Sequence, residues 1–417
     1  MKNIKTLFVW LAFLLLAAQF SQAQTTNQEQ IEKGKYLAVA GDCIACHTAP
    51  EGMPFAGGLP MHTPFGVLYS TNITPDKNTG IGKYSYELFR QTMHEGKGSA
   101  GHLYPAMPYT SYTLLTEEDT QALYAYFMSL PAVMQVNRDN EIAFPFNLRF
   151  GLGFWKALFA EDSSFEKDPN KSVNWNRGNY LVNALGHCGE CHTPRNFTME
   201  LDLTRSMQGN VIAGFEASDI TPGRLNAQGW TKPELASLFK NGYSDKGTVF
   251  GEMSMVVYHS LSRLNESDMN AVTSYLLDSD KPVEAKPIIA RTPDKKAAGH
   301  NTYVNMCSGC HGLEGQGKPK IAPAMQSNAT INRPSLYNSV AVLLRGIPSQ
   351  KYNATTAFYA MDSFEELSNQ EMADLINYMR QAWTDESPNV TADQVERIRD
   401  ELEGDGLIGV GSGHAEF

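Results

Sequence analysis

The chain has 417 residues, a formal net charge of −11 at neutral pH and an otherwise ordinary composition for a soluble protein. This length suits about three domains of common size. The acidic balance argues against nucleic acid as a partner, because a protein that binds the phosphate backbone needs a basic surface.

The N-terminal stretch has the parts of a secretory signal peptide. Lys2 and Lys5 precede an apolar run from Leu7 to Ala18, and Ser21-Gln22-Ala23 supplies small residues before a cleavage site. The run falls short of the roughly 20 apolar residues that span a bilayer. We therefore expect residues 1–23 to be removed rather than retained as an anchor, which changes the formal charge from −11 to −13.

The string C-x-x-C-H recurs three times along the mature chain. C-x-x-C-H is the attachment signature of c-type haem. On a helix, positions i, i+3 and i+4 share one face, so two thiols can bond the haem vinyl groups while the imidazole binds the iron. The copies are Cys43-Ile44-Ala45-Cys46-His47, Cys188-Gly189-Glu190-Cys191-His192 and Cys307-Ser308-Gly309-Cys310-His311.

A redox-active cysteine pair, half of a zinc site and chance are the alternatives for a single copy. All six cysteines of the chain fall into the three copies, and a disulfide framework would not follow each second Cys with His. A zinc site usually joins two C-x-x-C knuckles by a short loop, whereas these copies lie more than a hundred residues apart. The sequence therefore predicts three covalently bound haem c groups. Thioether attachment occurs outside the cytoplasm, which, together with the signal peptide, indicates the bacterial periplasm.

Each copy lies between two helical signals. A glycine and a tyrosine precede it: Gly34 with Tyr36, Gly178 with Tyr180, and Gly299 with Tyr303. A later helix begins with a capping-box-like pair, imperfect where Asp replaces Glu. These pairs are Thr116 with Asp119, Asn265 with Asp268, and Ser368 with Glu371, and a tyrosine follows each cap by ten positions, at Tyr126, Tyr275 and Tyr378.

This order of elements resembles a class I cytochrome c domain, in which an N-terminal helix enters the haem motif and a C-terminal helix packs on it. The predicted fold class is all-α, with three tandem class I cytochrome c domains at residues 24–133, 172–280 and 295–384. An aromatic connector covers 134–171, a linker 281–294 and an acidic tail 385–417. Such small domains bury little apolar surface of their own, so the chain without haem should be poorly folded.

Methionines before the closing helices are candidates for the sixth iron ligand. Met107 lies 60 residues after His47, and Met253 lies 61 residues after His192. Met361, 50 residues after His311, is the candidate in the third domain. The alternatives are Met255 for the second haem, Met325 for the third, and flexible core packing for any of them.

Spare histidines offer a competing bis-histidine ligation; they are His62, His94, His102, His187, His259 and His300. A thioether ligand raises the reduction potential relative to a second imidazole, which suits electron acceptance from an organic oxidation. Each motif histidine should donate its other ring N–H to a backbone carbonyl. Pro323 is a candidate acceptor in the third domain.

Three other segments carry expectations. The connector from Ala143 to Phe159 is rich in aromatic residues, which fits either a docking surface for a partner subunit or the membrane interface, or a linker folded back over a domain. The stretch from Asp278 to Ala298 has the composition of a solvated spacer. For the tail we expect a flexible segment, with an amphipathic helix from Thr391 to Leu402 as the alternative.

Several stretches of the sequence are specific enough for a comparison with a known family. They are Phe55-Ala56-Gly57-Gly58, Thr63-Pro64-Phe65-Gly66, Ser70 to Asp76, Tyr104 to Tyr112, and Arg177 to Val182 running to His192-Thr193-Pro194-Arg195. Through these stretches, nearly all of the mature chain resembles the tri-haem cytochrome c subunits of bacterial membrane-associated dehydrogenases of the alcohol, gluconate and sorbitol dehydrogenase type. In the third domain, Ala360-Met361-Asp362 departs from the Pro-Met-Pro of many relatives.

The resemblance implies an electron-transfer subunit rather than the site of substrate oxidation. A partner dehydrogenase catalytic subunit, of flavin, pyrroloquinoline quinone or molybdenum type, would oxidise the substrate, and ubiquinone or a terminal oxidase of the respiratory chain would accept the electrons. The chain has no G-x-S-x-G, P-loop or dinucleotide-binding motif, so we assign no catalytic residue. The alternative is a free-standing periplasmic multihaem electron carrier.

Overall fold

A computed structural model describes residues 27–159 and 163–404. The predicted signal peptide lies outside these residues. The chain divides into two compact units, with the boundary between Glu166 and Lys167. The first motif belongs to the first unit, and the second and third motifs belong together to the second unit. The division into three domains stays a prediction.

The first unit contains residues 27–40 as helix α1, followed by five shorter helices and five strands. The helices are α2 Cys43–Cys46, α3 Tyr86–Glu95, α4 Tyr109–Tyr112, α5 Glu117–Ser129 and α6 Phe150–Phe159, and the strands are β1 Pro60–Thr63, β2 Gly66–Tyr69, β3 Lys97–Gly98, β4 Gly101–His102 and β5 Glu141–Ile142.

The second unit contains the remaining elements, including two π-helical turns that lead into its haem motifs: Leu181–Leu185 ends before the second motif, and Tyr303–Cys307 ends at the first cysteine of the third. Its helices are α7 Val173–Tyr180, α8 Gly189–His192, α9 Pro222–Ala227, α10 Lys232–Asn241, α11 Glu252–His259, α12 Glu266–Leu276, α13 His300–Thr302, α14 Ser308–His311, α15 Tyr337–Arg345, α16 Asn369–Trp383 and α17 Ala392–Gly404. Its strands are β6 Asn210–Ile212, β7 Phe215–Ala217, β8 Tyr243–Ser244, β9 Gly247–Thr248, β10 Gln350–Lys351 and β11 Ala357–Phe358, and two 3₁₀ turns cover Leu203–Arg205 and Leu261–Arg263.

The prediction of an all-α fold is wrong. Within the described residues the strands form five small antiparallel sheets, one of three strands in the order β1-β2-β5 and four two-stranded hairpins. In the largest sheet, Pro60 pairs with Tyr69 and Thr63 with Gly66. The physical reason is that long loops carry many backbone polar groups, and short hairpins let these groups bond one another.

The helix pairs predicted around each motif are present, and a glycine lets each pair cross closely. A Cβ atom on this glycine would collide with a backbone carbonyl of the partner helix. The distances from this atom to the carbonyl oxygen would be 1.9 Å for Gly34 and Ala122, 2.0 Å for Gly178 and Ala271, and 2.3 Å for Gly299 and Asp374. The glycines singled out in the sequence are therefore positions where only hydrogen fits.

The predicted starts of the closing helices are confirmed. At each start the capping side chain accepts a hydrogen bond from the backbone N–H three residues later, which satisfies an N–H group that has no partner within the helix. Ser368 forms the full capping box with Glu371. The other two caps are Thr116 on Asp119 and Asn265 on Asp268.

A second repeat, not foreseen from the sequence, precedes each candidate methionine. Helix α3, α10 or α15 ends at a glycine with positive φ, and a short hairpin follows. The glycines are Gly96 (φ 57°), Gly242 (φ 77°) and Gly346 (φ 66°), and the hairpins are β3–β4, β8–β9 and β10–β11. The positive φ explains why glycine ends each helix, since residues with a side chain rarely adopt it.

The tail and the second linker are more ordered than expected. Helix α17 packs on α15 and α16 and buries Val395 and Leu402 completely, so the amphipathic helix is confirmed and the flexible tail is wrong for these residues. Arg399 donates to the carbonyl of Leu367 (2.7 Å). The linker is largely exposed, but the Arg291 N–H donates to the carbonyl of Ala382 (3.0 Å).

Candidate haem sites

Each C-x-x-C-H motif lies on or beside a four-residue helix, as its chemistry requires. Helix α2 ends at Cys46, and the N–H of the next residue, His47, donates to the carbonyl of Cys43 (3.0 Å). Helices α8 and α14 each end at the motif histidine. One short helix therefore brings the two thiols and the imidazole of each motif together.

The ring of each motif histidine is fixed by a backbone carbonyl. A carbonyl oxygen can only accept, so Nδ1 carries the proton and Nε2 keeps the lone pair that binds a metal. The acceptor predicted for His311, the carbonyl of Pro323, is confirmed. The Nδ1-to-oxygen distances are 2.7 Å from His47 to Thr71, 2.6 Å from His192 to Ser218, and 2.9 Å from His311 to Pro323.

The backbone of each motif histidine is held by a glycine further along the chain. The glycine N–H donates to the histidine carbonyl, and its φ is positive in all three copies. The pairs are Gly57 (φ 73°) to His47 at 2.9 Å, Gly209 (φ 93°) to His192 at 2.8 Å, and Gly317 (φ 74°) to His311 at 2.7 Å. Sequence reasoning missed Gly209, because the separations of 10, 17 and 6 residues form no pattern.

The three imidazoles are suited to bind iron at neutral pH. Burial lowers the pKa of His47, His192 and His311, although the bond to the carbonyl acts in the opposite direction in each case. Each ring is therefore neutral near pH 7. Neutral imidazole is the form of histidine that binds metals.

The thiols differ from those of redox-active cysteine pairs and zinc sites. None of the six cysteines forms a disulfide, and burial raises the pKa of Cys43 and Cys188 to about 12 and that of Cys191 and Cys307 to about 11. Redox and zinc-binding cysteines need a lowered pKa or a bound metal to form thiolate. Across residues 27–159 and 163–404, no cluster of three or more His, Cys, Asp or Glu side chains could hold a metal ion.

These donor sets fit covalently bound haem. A pair of protonated thiols one helical turn apart would provide the sulfur atoms of two thioethers, and the neighbouring imidazole would provide a nitrogen ligand for the iron. Cys43 and Cys191 are half-buried, so their side chains keep partial solvent access. In each set the two cysteines and the histidine would hold the group.

The candidate methionines lie on segments separate from the motif helices. Met107 lies in a turn in which its N–H donates to the Tyr104 carbonyl (3.1 Å), and the Tyr109 N–H donates to the Met107 carbonyl (2.7 Å). Met253 lies in the first turn of α11. Met361 exchanges two backbone hydrogen bonds of 2.8 Å with Ile347.

The alternative methionine of the third site lies in a different part of the repeat. The Met325 N–H donates to the carbonyl of Gly315 (2.7 Å), in the loop just after the third motif. Met325 and Met361 are both half-buried against the core formed by α15, α16 and α17, so burial does not separate them. The two methionines differ in their position relative to the hairpin, because Met361 follows β10–β11 and Met325 precedes α15.

Comparison with known proteins identifies the family of the chain. The family model "Cytochrome c" matches residues 31–131 and 296–383, which include the first and third motifs. A short helix carrying C-x-x-C-H, a carbonyl-bound histidine and this family match together define a cytochrome c.

Individual relatives show to which group of cytochromes c the chain is similar. The gluconate 2-dehydrogenase cytochrome c subunit of Pantoea cypripedii is 36% identical over 89% of this chain and 90% of the relative. The cytochrome c subunit of alcohol dehydrogenase (quinone) of Gluconobacter oxydans is 36% identical over 92% of this chain and 86% of its own length. The fructose dehydrogenase cytochrome subunit of Gluconobacter japonicus is 32% identical over 93% and 87%. The chain belongs to the family of these dehydrogenase cytochrome c subunits, which confirms the resemblance seen in the sequence.

Proposed function

We propose that this protein is a periplasmic tri-haem electron-transfer subunit that passes electrons from a partner dehydrogenase to the respiratory chain. The observation that carries the proposal is the threefold repeat of one local geometry: two thiols, a carbonyl-bound imidazole and a positive-φ glycine on the histidine carbonyl. The family supports the electron-transfer role. Three haem c groups, bound by the six cysteines, are the finer part of the proposal.

Met107, Met253 and Met361 are the proposed sixth ligands. Met107 lies eleven positions after Gly96, and Met253 lies eleven positions after Gly242. The same helix–glycine–hairpin unit precedes Met361, which supports it over Met325. Among the competing histidines, the Nε2 atom of His94 is hydrogen-bonded to the Thr120 hydroxyl (2.8 Å), which argues against its binding iron.

The protein's contribution to the chemistry is to hold the ligands and set the potential. Bound haem would supply an iron that gains and loses one electron. The carbonyl bonds of Thr71, Ser218 and Pro323 keep each imidazole in the tautomer that binds iron and raise its basicity. A methionine thioether as the second protein ligand of the iron would stabilise the reduced state.

Ligand variants with matched controls test the assignment. Met361→Leu and Met253→Leu should each open one iron position in the haem-loaded protein, so that one reduced haem binds carbon monoxide and one potential falls. Met325→Leu and Met255→Leu keep similar volume and should leave both measurements unchanged. A response from Met325→Leu or Met255→Leu instead would transfer the ligand to that residue.

A dehydrogenase catalytic subunit, of flavin, pyrroloquinoline quinone or molybdenum type, is the proposed partner, with ubiquinone or a terminal oxidase as the acceptor. Substrate oxidation would take place on the partner. In the part of the chain that the structure describes, no helix is both long and apolar enough to cross a membrane. The periplasmic location rests on the predicted signal peptide and the attachment chemistry.

The aromatic connector supports a docking role because its charged side chains face the protein and its apolar side chains face outward. The cations of the segment face the protein: Lys156 donates to the carbonyl of Glu95 and lies 5.3 Å from the Tyr109 ring centroid. Burial lowers the pKa of Lys156. Phe150, Phe154 and Leu158, one helical turn apart, are 68%, 72% and 75% exposed.

We assign this exposed stripe of Phe150, Phe154 and Leu158 to the dehydrogenase partner. The connector is tied to the segment that carries Met107, because the Tyr104 hydroxyl donates to the carbonyl of Phe146 (3.0 Å). A protein bound to the stripe would therefore lie beside the first haem site. The relatives, named as subunits of dehydrogenases, support a protein rather than a lipid occupant.

Copurification tests this assignment. Phe154→Ser should reduce the dehydrogenase subunit recovered with the affinity-tagged protein, while Phe197→Ser, at a phenylalanine 98% exposed in the second unit, should not. Full recovery with Phe154→Ser, together with loss of binding to phospholipid vesicles, would assign the stripe to the membrane. A wild-type protein that purifies alone but stays active as an electron acceptor would support the free-standing carrier.

A further inference from the structure

The second haem site is held by side chains that follow the third motif in sequence. The hairpin β6–β7 carries Ser218, whose carbonyl fixes His192. Two buried side chains from the region after the third motif bind this hairpin. Asn338 pairs with the Glu216 backbone in both directions: its Oδ1 accepts from the Glu216 N–H (2.7 Å), and its Nδ2 donates to the Glu216 carbonyl (2.8 Å).

Arg333 makes the charged part of this contact. Its guanidinium donates to the Glu216 carboxylate (2.6 Å) and to the Ser218 hydroxyl (3.0 Å), and the arginine is buried. Ser335 donates to the second Glu216 oxygen (2.5 Å). The Arg333 backbone is itself held, because Arg380 of α16 donates to its carbonyl (2.6 Å). An ion pair between a buried arginine and a half-buried glutamate therefore contacts Ser218, the residue whose carbonyl binds His192.

The charge of Arg333 lies close to the imidazole. Its guanidinium donates to the Ser218 hydroxyl (3.0 Å), and the carbonyl of the same residue accepts from the His192 ring (2.6 Å), so Ser218 alone separates the two groups. A nearby positive charge disfavours any additional positive charge at the same place. Oxidation of an iron bound to this ring would add one.

The region around Met253 is covered from the same part of the chain. Tyr352 is buried, its hydroxyl donates to the carbonyl of Val249 (2.6 Å), and its ring lies over Gly242, where a Cβ atom would be 2.0 Å away. Tyr352 and Phe358 form one apolar cluster with Val249 and Val257, and Met253 packs against this cluster.

We propose that Arg333 and Tyr352 are positioning residues of the second haem site, so that side chains beyond the third motif set the ligation and the potential of the haem bound at the second. This inference rests on the proposed function, in which His192 and Met253 are the two ligands. The first site differs in this respect, because Asn72, beside its acceptor Thr71, donates to the carbonyl of Val133 (2.8 Å), a residue that precedes the second motif.

Charge variants of the Arg333–Glu216 pair provide the sharpest test. In the haem-loaded protein, Arg333→Met removes a positive charge and should lower the potential of one component in an optical redox titration. Glu216→Gln removes a negative charge and should raise the potential of the same component. Arg291→Met, which removes an exposed arginine paired with Asp385, is the control and should shift none.

Met253→Leu identifies the affected component, because it should shift the potential of the same component of the redox titration. Opposite shifts confined to that component support the proposal, whereas shifts in the same direction, equal shifts of all components or no shift overturn it. If the Arg333→Met protein does not accumulate, Glu216→Gln alone still tests the direction of the shift in potential. A haem content below three, or a Met253→Leu variant that changes no component, would instead contradict the proposed function.

Substitutions of Tyr352 test the part of the proposal that concerns Met253. Tyr352→Ala leaves a space beside the cluster that supports Met253, and should remove the share of the ferric methionine–iron near-infrared absorption that one haem contributes. Tyr352→Phe keeps the ring and loses only the bond to Val249, so it should retain most of that absorption. Unchanged absorption in Tyr352→Ala would overturn this part of the proposal.

Discussion

The close crossing of α7 and α12 at Gly178 makes a quantitative prediction. In Gly178→Ala the new Cβ would lie 2.0 Å from the Ala271 carbonyl oxygen and 2.7 Å from the Tyr275 Cβ. Closest contacts of real Cβ atoms are near 3.0 Å. The first of these neighbours is backbone, so the two helices must separate by about 1 Å, which a close-packed interior resists.

Two effects of this substitution oppose each other. Alanine stabilises a helix interior by about 1 kcal/mol relative to glycine. Overpacking costs about 1–3 kcal/mol, and helix separation also strains the paired bonds of Arg177 to the buried Asp268, both 2.8 Å long, each worth about 1.5–3 kcal/mol. The clash should therefore dominate, with a net loss of about 2–4 kcal/mol.

Thermal unfolding of the haem-loaded protein, followed by far-ultraviolet circular dichroism, measures this loss. For a unit of this size we expect Tm to fall by about 5–15 °C. Gly223→Ala is the matched control, since Gly223 lies in helix α9 with open space around the new Cβ, and it should leave Tm equal or slightly higher. A Gly178→Ala protein that melts at or above the wild-type temperature would refute the close-crossing account.

Two further predictions concern the tail and the first site. Leu402→Ala should lower the free energy of unfolding by about 2–5 kcal/mol, because it leaves a cavity under α17. Glu403→Ala, at an exposed position, should change this free energy by less than about 0.5 kcal/mol. Equal effects of the two substitutions would contradict the packing of α17. Backbone N–H bonds from Thr79 and Asn78 lower the pKa of Asp76, so its carboxylate stabilises the fold above the ordinary aspartate pKa of about 4 and loses this effect as pH falls through the lowered value. The Tm difference between wild type and Asp76→Asn should therefore be present at neutral pH and vanish in strong acid, and a pH-independent difference would exclude this role.

Local features of the sequence predicted local features of the structure. The cap at Ser368 and the motif helices depend on contacts within four residues, and both are present. The small hairpins escaped prediction because strands of two residues, such as β3 and β8, are too short to show an alternating pattern. Their pairing is decided by the path of the loop rather than by side-chain periodicity.

Most long-range features could not be predicted. Among the carbonyl acceptors of the motif histidines, only Pro323, 12 residues after His311, was predicted; the acceptors of His47 and His192 lie 24 and 26 residues away, in loops of different length. The contact of Arg333 with Glu216 joins positions 117 residues apart. Nothing in a linker composed like a solvated spacer indicates that the second and third motifs share one compact unit.

The number of covalently bound haem groups tests the central claim most directly. Protein purified from the exported fraction should give an alkaline pyridine spectrum of c-type haem, and its intact mass should exceed that of the polypeptide by three haem groups. Colourless protein, or a mass that carries fewer than three, would contradict the account.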